Sequence, residues 1–162
     1  MHIFALTMHT NVQRGEYMEK NLLYFMMGNV EMAKVSTKEL IEITPYVDFR
    51  DELMDDLSEY EKFYNRIEEL KKEDEKLKGL SPLAEGSTKM AIMFKTMKDK
   101  SRQNMSEMLI KGFDMGIKDI DENIARAIKD KERPQVIDLA RDYRMHMVKN
   151  REKYMKYIPK NN

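Results

Sequence analysis

Apolar residues recur at steps of three and four along most of this chain. Between Met18 and Thr44 the stripe is Leu23, Met26, Val30, Ala33 and Leu40, with Thr37 on the same line, the spacing of one face of an α-helix. Pro45 ends this segment, because proline lacks a donor and restrains the residue before it. A second helix is predicted from Tyr46 to Lys76 on the stripe Phe49, Leu53, Leu57, Tyr60, Tyr64 and Ile67. Its tail, Lys71 to Lys76, mixes charge signs and reads as a solvated helix end.

Gly79, Pro82 and Gly86 then interrupt the pattern, a cluster of helix breakers. A short helix follows, from Ser87 to about Lys98. Asn104 offers an N-cap, with Glu107 three residues on as its capping-box partner. The third long helix continues to Lys129 through Leu109, Phe113, Gly116, Ile120, Ile124 and Ala127. Pro134 suits a first helical turn. The last helix carries Val136, Ala140, Tyr143, Met147, Tyr154 and Ile158 before Pro159. Two tight connections and one of roughly 25 residues make two helical hairpins joined by a long crossover. The class is all-α.

Residues 1–17 share no periodicity with the rest. Arg14-Gly15-Glu16 can be encoded by a purine-rich string resembling a bacterial ribosome-binding site just before Met18. The expectation is therefore a non-core leader over 1–17, with a mis-assigned start, and a helical domain over 18–160. Two of the three histidines, His2 and His9, fall in the leader, and His146 alone belongs to the domain.

Composition narrows the chemistry. Of the 162 residues 36% are charged and 41% hydrophobic, which suits long helices with one wet and one dry face. Lys+Arg and Asp+Glu each number 29. The missing basic excess argues against a nucleic-acid partner. No apolar run approaches the roughly 20 residues needed to span a bilayer, so membrane insertion is not expected and a cytoplasmic location is. There is no cysteine, which removes disulfides, thiolate nucleophiles and Fe–S clusters. One domain histidine locates no Ser-His-Asp arrangement, and Gly112 and Gly116 lie within a helix, where they permit close packing rather than phosphate binding.

Helical-wheel placement sets the polar residues of the interior. Glu31, Glu39 and Glu42 lie off the first stripe, while Lys34 and Thr37 lie on its inward side. On the second helix Asp56 is the carboxylate nearest the core, with Glu59 and Glu61 outside it. Asn123 points inward from the third, with Asp119 at the boundary. Asn150 points inward from the last, with Arg144, His146 and Arg151 at its margins. The inward polar seam is therefore Lys34, Thr37, Asp56, Asn123, Asn150 and Arg151. Counting from each turn pairs Lys34 with Asp56 and Asp119 with Arg144.

The helix Leu53 to Leu70, the breakers Gly79-Leu80-Ser81-Pro82 with Gly86-Ser87, the short Met90–Met97 helix, Gly112, and Val136 to Tyr143 together resemble an uncharacterised family of small bacterial ferritin-like proteins. These are distant relatives of rubrerythrins and bacterioferritins. The resemblance covers about 18–158 and implies a ferritin-like antiparallel four-helix bundle. Active members of that fold place a Glu on each of two helices and a Glu-x-x-His on each of the other two. This chain has no Glu-x-x-His. Asn150 stands where the resemblance implies the last helix's histidine, and Met147 where it implies the glutamate.

No cofactor is therefore expected, and the leading expectation is a non-catalytic protein with a structural or interaction role, its partner another protein or a second copy. One alternative is a metal-binding oxidoreductase or storage-type protein holding iron through Asp56 and His146. Copper is a further variant, since methionine is abundant at 16 residues and thioethers suit Cu(I), although such stripes also serve as flexible core filler. Another alternative is a binding module whose face is Met90, Met93, Phe94 and Met97 in the crossover.

Overall fold

The computed structural model describes residues 16–18, 20–82 and 92–160. Four long helices dominate: α1, Leu22–Ile43; α2, Val47–Lys71; α3, Arg102–Lys129; and α4, Pro134–Met155. The described residues contain no strand, so the chain is all-α. The boundaries follow local chemistry. The Asn21 side chain accepts from the Tyr24 amide at 3.0 Å and opens α1. Thr44, held extended by the following Pro45, closes it. Pro134 occupies the first turn of α4, where its missing donor costs nothing.

Two helix ends differ from expectation. Ser101, not Asn104, caps α3, and its hydroxyl accepts from the Asn104 amide at 3.1 Å. The Asn104 side chain instead bonds the Asp99 carbonyl. The second helix stops at Lys71 rather than Lys76. Lys71 is not solvated but buried, with its ammonium on the Leu80 carbonyl at 2.8 Å and beside Glu68. Of the short crossover helix, the described part spans residues 92–95.

Paired charges fix how the helices run. As the α2 partner advances from Glu52 to Asp56 to Arg66, the α4 partner retreats from Lys156 to Lys153 to Asp142. These two helices are therefore antiparallel. So are α3 and α4, tied by Arg144 to Asp121 and Arg151 to Asp114. Arg102 at the start of α3 meets Asp48 at the start of α2 at 2.8 Å. Those helices run parallel, and the crossover must traverse the length of the assembly. Apart from the buried Asp56–Lys153 pair, these contacts are largely exposed and screened by solvent, and they set register more than stability.

The ion pairs also correct the pairings counted from the turns. Lys34 meets Glu61 at 3.0 Å, not Asp56. Arg144 meets Asp121, not Asp119. Every helical side chain leans toward its own N-terminus. In a hairpin the first helix therefore leans away from the turn and the second toward it. Residues at equal height diverge, and contacts form with a partner farther along the second helix. Lys34 lies nine residues before Ile43, and Glu61 fourteen after Val47. Asp121 lies eight before Lys129, and Arg144 ten after Pro134.

The core draws on all four helices. Met26, Met27 and Val30 of α1 share one buried core with Phe49, Leu53 and Ile67 of α2, Phe113 and Ile120 of α3, and Ala140 and Tyr154 of α4. The two α3 glycines differ in role. A Cβ at Gly116 would lie 2.9 Å from the Met147 sulfur and 3.6 Å from the Asn29 amide nitrogen. A Cβ at Gly112 would meet no described residue within 4 Å, so among the described residues close packing explains Gly116 and not Gly112. Gly112→Ala is expected to stabilise the protein by about 0.5–1 kcal/mol through helix propensity. Gly116→Leu is expected to destabilise it by about 1–3 kcal/mol through overpacking. Urea unfolding of both variants checks the pair. Equal effects would mean that α3 and α4 are not in contact at Gly116.

Candidate functional site

The polar centre of the assembly is built on α2 and α4. Asp56 is 4% exposed, on the core side of α2 between the turns of Leu53 and Tyr60. Its two oxygens have separate partners from α4. The Lys153 ammonium donates to Oδ1 and the Tyr154 hydroxyl to Oδ2. Burial nevertheless pushes the Asp56 carboxyl above its ordinary range, against the pull of these two donors and the Lys153 charge. The same burial, with the Asp56 charge beside them, raises the Tyr60 and Tyr154 phenols far above theirs. Both stay protonated.

One turn away, the His146 ring lies edge-on to Tyr60 with centroids 5.2 Å apart, and 5.2 Å from Phe63. Its Nε2 is 3.0 Å from the Asn150 amide nitrogen. With that amide donating, Nε2 accepts and Nδ1 carries the proton. Burial drives the imidazole down to about 4, outweighing the nearby Glu59 carboxylate, while Lys153 and Lys149 push the same way as burial. Neutral, bonded and ringed by aromatics, His146 fills space at the edge of the core. Tyr143 completes the centre, its hydroxyl donating to the Asn29 carbonyl oxygen on α1.

Three of the six inward polar positions are where the pattern puts them. Asp56 and Asn150 are buried, as is Thr37, which donates to the Ala33 carbonyl. The other three lie at the edge. Lys34 is drawn out by Glu61 and sits over the Tyr64 ring. Asn123 folds back onto the Asp119 carbonyl of its own helix. The guanidinium of Arg151 turns to Asp114 on the α3 side. Glu31, placed off the stripe by the wheel, is instead 6% exposed and accepts from Ser81 at 3.1 Å. The crossover covers a face that periodicity alone assigns to solvent, and burial raises this carboxyl too.

A second feature lies between α1 and α3. Here an apolar cavity of about 450 Å³ opens, with Met32, Met93, Met108, Met115 and Met147 in its lining. Of the crossover residues that the binding-module alternative puts on one face, Phe94 is buried at 4%, Met97 is half-buried and Met93 is 47% exposed. They do not make a single face, and Met90 lies outside the described residues. The methionines flanking His146 also part company, Met145 outward and Met147 into the core, so these two do not converge on the ring.

Comparison with protein-family models, curated proteins and solved structures gives no match. Among the described residues, no three His, Asp or Glu side chains converge as metal ligands would. Asp56 is engaged at both oxygens and His146 is the one imidazole there. This donor set does not fit a di-iron centre, which uses about four carboxylates and two imidazoles. The tyrosines were legible as stripe positions but not as polar groups. The available signal was that a buried phenol needs a partner.

Proposed function

We propose that this chain is a non-catalytic ferritin-like helical protein of the cytoplasm, with a structural or interaction role. The observation that carries the reading is the composition of the centre. The four helices enclose phenols and a lysine-paired carboxylate where that scaffold otherwise gathers acidic ligands. Two hairpins with a full-length crossover support the ferritin-like assignment, and engagement of Asp56 by Lys153 and Tyr154 supports the absence of catalysis. A cation already neutralises the Asp56 carboxylate, and a metal would have to displace it against the charge of Lys153.

The test is metal analysis. Protein purified from iron-supplemented cells is expected to carry no stoichiometric iron and to leave the rate of Fe(II) oxidation unchanged. About two irons per chain would overturn the proposal. One tightly held metal lost in both Asp56→Asn and His146→Gln would replace it with the metal-binding alternative.

A further inference from the structure

We infer that the cavity between α1 and α3 is a binding site for one single-chain amphiphile with a carboxylate head, the tail lying along the methionines and the head at Lys111. This goes beyond the scaffold reading and does not depend on it. The cavity volume, about 450 Å³, falls in the range of roughly 300–1,000 Å³ typical of ligand pockets. Along α1 its lining runs from Asn29 to Leu40, about 16 Å at 1.5 Å per residue, which suits an extended chain of roughly twelve carbons. Methionine walls adapt to a flexible tail.

The mouth supplies the selectivity. Met93 and Met115 border the cavity while 47% and 63% exposed. Gly112 of α3 is also in the lining, and no described neighbour requires its missing Cβ. A glycine in mid-helix sacrifices helix stability, and here it leaves the entrance open. Among the described residues, Lys111 is the single charged one in the lining. The adjacent α3 carboxylates are engaged, Glu107 by Gln103 and Asp114 by Arg151. Lys111 takes part in none of the ion pairs among the described residues. At the inner wall the Tyr143 hydroxyl is already satisfied by Asn29, so the depth of the cavity asks nothing polar of its occupant.

Calorimetric titration of the full chain with dodecanoate and with dodecyltrimethylammonium, both below their aggregation concentrations, tests the assignment. Dodecanoate is expected to bind once per chain, and the cationic amphiphile about tenfold more weakly, as one charge contact at a pocket mouth allows. Lys111→Glu should weaken dodecanoate about tenfold and reverse the order. Gly112→Phe at the mouth and Ala33→Phe on the opposite wall should each abolish both interactions, with folding verified by circular dichroism. The inference is overturned if dodecanoate shows no saturable one-to-one binding, or if both head groups bind equally. It is also overturned if the two phenylalanine variants, folded, bind as the unmodified protein does.

Discussion

Asp56→Ala is expected to lower the free energy of unfolding by about 2–4 kcal/mol. Removal strands two donors at once, the Lys153 ammonium and the Tyr154 hydroxyl. Breaking a buried pair from one side typically costs about 3–5 kcal/mol. The lower figure applies because the Lys153 side chain keeps 28% of its surface and can turn toward water. Lys153→Met should cost less, because Asp56 keeps Tyr154 and its raised affinity for a proton lets it become neutral. A double-mutant cycle on Asp56 and Lys153 isolates the coupling. An Asp56→Ala loss below about 1 kcal/mol in urea unfolding, with m unchanged, would show that water reaches the carboxylate.

Acid is expected to destabilise the protein through His146. Its folded value, about 4, lies below the ordinary 6.5. Between those two values the unfolded chain binds more protons than the folded one, so folding weakens as pH falls. The contribution is complete above about 6.5 and is lost as pH drops through about 4. With allowance for the ring's partial exposure, the change across that window is about 1–3 kcal/mol. Asp56 works in the opposite direction, since a raised carboxyl takes up its proton more readily in the folded state. The comparison must therefore be made against a variant. In His146→Leu the slope of stability between pH 6.5 and 4 should be visibly shallower than in the unmodified chain. Equal slopes would mean that the ring is charged when folded, and would reopen it as a ligand or base.

How much of this was readable beforehand depends on distance along the chain. Both hairpins were legible, because their signals are local: a proline at Pro45, another at Pro134, and apolar steps of three and four. Thr37, Asp56 and Asn150 could be placed inward, because a wheel needs only the helix's own residues. Partners were another matter. The count from each turn ignored the lean of side chains, and so it joined Lys34 to Asp56 instead of Glu61, and Asp119 instead of Asp121 to Arg144. Glu31 and Lys71 were read as exposed because their cover comes from Leu80 and Ser81 in the crossover, which no helical period describes. Ser101 and Asn104 are both good caps, and only the described fold chooses between them.

The filling of the centre with phenols has an optical consequence. The chain has eight tyrosines and no tryptophan, so tyrosine dominates its near-ultraviolet absorption and emission. Tyr60, Tyr143 and Tyr154 are among the most enclosed residues. The Tyr154 hydroxyl donates a hydrogen bond to a carboxylate on the other hairpin, and the Tyr143 hydroxyl donates one to an amide oxygen there. Undocking the hairpins would break both contacts even with each helix intact. Far-ultraviolet dichroism would then report the helices, while the tyrosine signal would report whether the two halves of the molecule are joined.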